Sequence, residues 1–164
     1  MKFSHMADLH LGGWREETLR EIGIKAFEKA IDISIGENVD FVLISGDLFD
    51  SSNPTIEVMA KAAKKLYELK IKGIPVYVIE GSHDFSPTGR TILKVFQEAG
   101  LLKRVTSGEE KEGKLVLKGI LDEKTNTRIY GISGIRGSLE KATYNSLDRD
   151  ELEKQKGEKI FLFH

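Results

Sequence analysis

Apolar and polar positions fall into blocks along this chain, and the blocks switch between two periods. Met1–Ala7 opens as a short strand, and Asp8–Glu17 follows as a polar, glycine-containing loop. From Thr18 to Glu37 the apolar residues Leu19, Ile22, Ala26, Phe27, Ala30 and Ile31 recur at helical spacing. Asp40–Ser45 is a continuous apolar run, the mark of a strand covered on both faces. Gly46–Pro54 reads as loop. Thr55–Lys72 reads as a second helix with Met59, Ala63, Leu66 and Tyr67 on one stripe, stopped by Gly73 and Pro75. Val76–Ile79 is a third strand, Gly81–Gly89 a loop, and Thr91–Ala99 a shorter helix closed by Gly100. This β-α-β-α-β-α order predicts a layered α/β fold with parallel central strands.

The second half changes character. Leu115–Leu121 and Thr127–Ile132 read as the two strands of a hairpin in a mixed sheet. Asp148–Lys156 is a polar short helix, and Ile160–Phe163 a final apolar strand that leads directly into His164. An apolar strand without a following element predicts a domain, residues 1–164, that continues beyond this sequence.

Composition narrows the function. The chain has 164 residues, 40% hydrophobic and 31% charged, enough apolar material for a core and enough charge for a soluble protein. A formal net charge of -1 disfavours a protein that coats nucleic acid by bulk positive charge. There are no cysteines, which removes disulfides, thiolate metal sites and cysteine nucleophiles. The N-terminus lacks the apolar region of a signal peptide. A reducing cytosolic or nucleoid-associated location is the expectation, or a nuclear one in a eukaryote.

The candidate chemistry sits at the strand ends. The first strand delivers Asp8-Leu9-His10, the second Gly46-Asp47-Leu48-Phe49-Asp50, the third Gly81-Ser82-His83-Asp84, and the last His164. In parallel α/β sheets ligands bind in the crevice beyond the strand C-termini. Asp8, His10, Asp47, His83, Asp84 and His164 should therefore converge in space. Carboxylates and neutral imidazoles suit Mn²⁺, Fe²⁺ or Zn²⁺ better than Ca²⁺. A carboxylate can also bridge two ions about 3.5–4 Å apart, the arrangement of two-metal hydrolysis. Taken singly these residues have plainer readings, Asp50 as a turn cap and His83-Asp84 as a structural loop pair. His5, in mid-strand, reads as an ordinary core or sheet-face residue. The ordered set at successive strand ends is the specific signal.

That ordered set, Asp8-Leu-His10, Gly46-Asp47-x-x-Asp50 and Gly81-x-His83-Asp84, resembles the calcineurin-like metallophosphoesterase superfamily. Phe3-Ser-His-Met-Ala-Asp-Leu-His-Leu-Gly12, Ser45-Gly-Asp-Leu-Phe-Asp-Ser-Ser52 and Ile74-Pro-Val-Tyr-Val-Ile-Glu-Gly81 look like the DNA double-strand-break-repair nucleases of the meiotic-recombination-eleven and SbcD kind. The resemblance is good over about the first hundred residues, weak from Leu101 to Glu158, and returns at Lys159–His164. It implies a metallophosphoesterase-type sandwich of mixed sheets flanked by helices. It implies that Asp8 and His10 hold one metal, that Asp47 bridges two, and that position 82 and His164 help hold the second. His83 would act on the phosphodiester, oriented by Asp84. The resemblance further implies manganese as cofactor, DNA ends as substrate, a homodimer formed through helices of this domain, and an ABC-type coiled-coil ATPase partner.

Two departures qualify this reading. Ser82 stands where the family has Asn, and a Ser hydroxyl is a shorter, poorer ligand. The family's last motif, His-x-His, would lie beyond His164, so the 164-residue chain alone is expected to be inactive. The alternatives are a small-substrate phosphodiesterase of the same superfamily, or a non-catalytic dimerisation or partner-docking module with a degenerate site. Arg15 and Arg90, in strand-end loops, are candidates for contact with DNA phosphates. Trp14 could stack on a base or pack against its own loop.

Overall fold

The computed structural model describes residues 1–85, 90–134 and 140–164. Its first sheet has four parallel strands in the order β1-β2-β3-β4: β1 (Phe3–Met6), β2 (Phe41–Ser45), β3 (Val76–Ile79) and β4 (Lys103–Arg104). Helices α1 (Glu17–Gly36), α2 (Ile56–Ile71) and α3 (Leu93–Glu98) make the three crossovers. Strand order follows chain order without reversal. Crossovers of one hand therefore place all three helices over the same face.

Alternation along the central strands divides the core accordingly. Val42, Ile44, Val76 and Val78 pack with Ile24, Phe27 and Ile31 of α1 and with Val58, Ala62, Leu66 and Leu69 of α2. Phe41, Leu43, Tyr77 and Ile79 face the other way, onto Val105, Ile129 and Leu162. The last two belong to a second sheet of β7 (Ile120–Asp122), β8 (Thr127–Gly131) and β9 (Glu158–Leu162), in which β8 runs antiparallel to β7 and parallel to β9. Tyr77 reaches across and donates its hydroxyl to Asp122 Oδ1 at 2.8 Å. Burial of that phenol, together with the carboxylate beside it, pushes its pKa up. A two-stranded ribbon, β5 (Gly108–Lys111) and β6 (Lys114–Leu117), and two short helices, α4 (Glu140–Asn145) and α5 (Arg149–Lys154), complete the described chain. The layered α/β arrangement with mixed sheets is the one expected. Among the described residues, no helix is long and apolar enough to cross a membrane.

Several local expectations are corrected. Leu115–Leu121 is not one strand: it divides at Lys118-Gly119 into β6 and β7, which belong to different sheets. Gly119 lies so close to the Tyr130 ring that an added Cβ would come within 2.7 Å of Cε1. Strands β4 and β5 and helix α4 escaped the periodicity, being short or polar. The turn of the β5–β6 ribbon is Glu112-Gly113, both at positive φ (50° and 74°), the backbone of a type I′ hairpin. Strand β1 is an edge strand paired only with β2 among the described residues, and its Phe3 is exposed. His5 is exposed on the sheet face, one of the two places expected for it, and its Nε2 lies 2.8 Å from Ser45 Oγ. The buried stripe of α2 is Val58, Ala62, Leu66 and Leu69, so Tyr67 points outward. The end of the loop expected over 81–89 lies outside the described residues.

Candidate metal centre

The loops that follow β1 and β2 stay zipped together after the strands end. Asp8 donates its backbone N–H to the Gly46 carbonyl (3.2 Å), His10 to that of Asp47 (2.9 Å) and Leu11 to that of Leu48 (3.0 Å). Residues about 38 positions apart are thereby held side by side. Asp8, His10 and Asp47 all adopt left-handed backbone, with φ of 53°, 42° and 49°. That region is uncommon for side chains with a Cβ, and strained conformers of this kind cluster at functional sites. Gly46, at φ 87°, turns the chain into this loop.

The hydrogen bonds assign the histidine tautomers. A carbonyl oxygen only accepts, so the 2.9 Å contact of His164 Nδ1 with the Ser45 carbonyl places a proton on Nδ1. His83 Nδ1 likewise donates to the Asp50 carbonyl at 2.7 Å. His10 Nδ1 lies 3.1 Å from Asp50 Oδ1 and donates to that carboxylate. Each ring then keeps its Nε2 for another partner. The Nε2 of His164 is 3.3 Å from Asp47 Oδ2, and that of His10 is 3.7 Å from the same oxygen and 3.9 Å from Asp8 Oδ1. Lone pairs converging on a carboxylate oxygen repel unless a proton or a cation stands between them. The donor set fits a divalent cation: neutral imidazole nitrogens oriented by a second hydrogen bond, together with carboxylate oxygens. Two such groups are compact, with ligand atoms within 4.8 Å of one another: Asp8, His10 and Asp47; and His10, Asp50 and His83.

Asp47 is central to the arrangement. Its side chain is only 4% exposed. Its Oδ1 accepts the His83 backbone N–H at 2.8 Å, which leaves Oδ2 directed at the two histidines. Gly81 is pressed onto it, and a Cβ there would overlap Asp47 Oδ1 and its backbone nitrogen. The rings of His10 and His83 meet edge to face, 4.9 Å between centroids.

Asp84 is positioned differently from the expectation. It is fully buried, and its carboxylate accepts backbone N–H groups from Gly81 (2.9 Å) and Phe49 (3.3 Å), stitching the third loop to the second. Burial pushes its pKa up, with the Asp47 charge acting in the same direction. The group at the His83 ring is the Asp50 carbonyl. Ser82 is half-buried in the same loop. Arg15 and Trp14 are exposed in the first loop, and Arg20 donates to both of their carbonyls. Arg90 is exposed. Glu80 was not among the residues expected at the site, and Asp50 was expected at most to cap a turn, not to orient histidines. Asp50 was visible as a second acid three residues after Asp47. Glu80 gave no local signal beyond an acid ending an apolar run.

The family model for calcineurin-like phosphoesterase matches residues 1–164. The chain is similar to proteins named DNA double-strand break repair protein Mre11 from archaea. It is 35% identical to that of Methanococcus maripaludis over 175 aligned residues, covering 100% of this chain and 43% of the relative. It is 37% identical to that of Methanosarcina acetivorans over 137 residues (82% and 20%) and 31% identical to that of Archaeoglobus fulgidus over 140 residues (75% and 31%). The chain thus spans between 20% and 43% of the length of these curated relatives. With the match running along its whole length, the chain belongs to the calcineurin-like phosphoesterase family.

Proposed function

We propose that this chain is the catalytic-site portion of a manganese-dependent nuclease that cuts DNA ends in double-strand-break repair. The observation that carries the reading is the convergence of His10 Nε2 and His164 Nε2 on Asp47 Oδ2, from residues 10, 47 and 164 of the sequence. Similarity to archaeal repair proteins supports DNA as the substrate. In this reading Asp8, His10 and Asp47 hold one ion, and Asp47, His164 and the position 82 loop hold the second. Bound ions would supply charge neutralisation at the phosphate and an acidified water. His83, with Nδ1–H fixed by the Asp50 carbonyl, presents Nε2 to take or give a proton at the phosphodiester. Asp84 keeps the third loop in place. Arg15 and Arg90 contact backbone phosphates, which position DNA without reading its sequence.

The same reading includes a homodimer. Ile56, Ala60, Tyr67 and Ile71 form an exposed apolar stripe along α2, with Ile56 80% and Tyr67 54% exposed. This stripe, rather than the one expected from spacing, is the patch a two-fold interface would use twice. A coiled-coil ATPase partner is the further assembly expected of such a nuclease, in the cytoplasm or nucleoid.

The test is manganese-stimulated cleavage by the full-length gene product, with a linear duplex and a chromogenic phosphodiester offered separately. Cutting of the duplex that His83→Ala abolishes supports the reading. Turnover of the small diester alone would favour a small-substrate phosphodiesterase, for which the net charge of -1 speaks. Turnover of neither would leave a docking module.

A further inference from the structure

We infer that Glu80 is a positioning residue for His164. It ends the apolar run of β3 immediately before Gly81, and it is completely buried. A buried carboxylate is tolerated only when it is paired and hydrogen-bonded. The Glu80 carboxylate has three side-chain partners from two segments. Arg104 of β4 pairs with Oε1, and Oε2 accepts the hydroxyls of Thr106 (2.9 Å) and Ser133 (2.8 Å). Its own carbonyl accepts the Gly134 N–H at 2.8 Å. Main chain and side chain of one residue therefore both grip the segment Ser133-Gly134.

That segment is one wall of the His164 ring. A Cβ on Gly134 would come within 2.7 Å of His164 Cδ2 and 3.4 Å of the Gly81 Cα. Gly46 is a second wall, where a Cβ would overlap His164 Nδ1. The ring is thus clamped between the loop after β2 and the loop after β8, and Glu80 holds the second of these against the first sheet. Arg104 and Thr106 hold the Glu80 carboxylate from the other side, so the clamp runs from β4 through Glu80 to His164. His10 and His83 take their orientation from Asp50 and lie outside this chain of contacts.

The functional consequence rests on the metal-centre reading; the geometric claim does not, and the two are tested separately. Imidazole nitrogen NMR of the metal-free protein reports each histidine tautomer. Glu80→Gln, which loses the charge that pairs Arg104, and Ser133→Ala, which loses one hydroxyl, are the variants. The expected result is that the Nδ1–H signature of His164 broadens or shifts toward a tautomer mixture in both, while His10 and His83 keep theirs. An unchanged His164 in folded Ser133→Ala overturns the inference. Equal movement of all three histidines also overturns it, since that is the mark of general loosening. If Glu80→Gln does not fold, Ser133→Ala and Thr106→Val decide alone. Manganese titration of the full-length gene product then asks about function. The weaker of two binding constants should fall about tenfold in Ser133→Ala with the tighter one unchanged, the size typical of a lost orienting partner. A parent that binds no second ion would fail the metal-centre reading and leave the NMR result standing.

Discussion

Asp50 meets two histidines at once: its carboxylate takes the Nδ1–H of His10 at 3.1 Å, and its carbonyl takes the Nδ1–H of His83 at 2.7 Å. Both rings are thereby turned so that Nε2 is left for a ligand or a substrate. Removing the side chain in Asp50→Ala frees the His10 ring to rotate and to change tautomer, while the carbonyl that holds His83 remains. Metal affinity at the Asp8, His10 and Asp47 group is expected to fall about 10–100-fold. Calorimetric manganese titration checks this. Unchanged affinity would mean that His10 is held by other contacts.

Gly81→Ala should damage the site through packing alone. The added methyl meets Asp47, which is buried and cannot swing away without losing the His83 N–H. Overpacking of this kind costs about 1–3 kcal/mol. Denaturant unfolding should show that loss, with weakened metal binding beside it. A stable variant with normal binding would show that the two loops separate easily.

Ser82→Asn tests the third motif. An amide carbonyl reaches one bond further than the Ser hydroxyl from the same backbone position. In the full-length gene product the second ion should bind at least tenfold more tightly, with DNA cleavage raised, while the Asp8, His10 and Asp47 group keeps its affinity. If neither binding nor cutting improves, position 82 is not a ligand.

Tyr67→Asp separates the dimer from the fold. Tyr67 is 54% exposed on α2, so the change should alter stability by no more than about 0.5 kcal/mol. Sedimentation of the parent at high concentration should show a dimer, and of the variant a monomer. A monomeric parent would remove the exposed α2 stripe as an interface.

Glu109 gives a pH signature away from the site. Hydrogen bonds and charge from Lys111 and Lys118 pull its pKa from an ordinary 4.5 down to about 2. A depressed carboxylate contributes its stabilisation above the unfolded value and loses it as pH falls through the folded one. The β5–β6 ribbon should therefore keep this contribution at pH 5 and lose it between about 4.5 and 2. Carboxyl carbon NMR at low ionic strength should give a midpoint well under 4.5, moving upward with added salt as the exposed charges are screened. A midpoint near the ordinary value at low salt would mean that the lysines do not hold it.

Local pattern was enough to set the order of strands and helices in the first half and the residue types placed at the strand ends. Both signals are local: Val42, Ile44 and their neighbours announce a strand by being apolar in succession, and Asp8, His10 and Asp47 follow such runs directly. Which group serves which depends on packing between distant segments. Asp84 stands next to His83 in sequence, yet its carboxylate faces backbone N–H groups, and the carbonyl that orients His83 belongs to Asp50, 33 residues away. Sequence adjacency puts neighbouring side chains on diverging paths, whereas zipped loops bring distant ones together. The outward face of α2 and the division of β6 from β7 were settled the same way. A helix stripe one residue out of phase, or a strand that changes sheet at Gly119, differs by packing against residues far along the chain, and no local pattern carries that information.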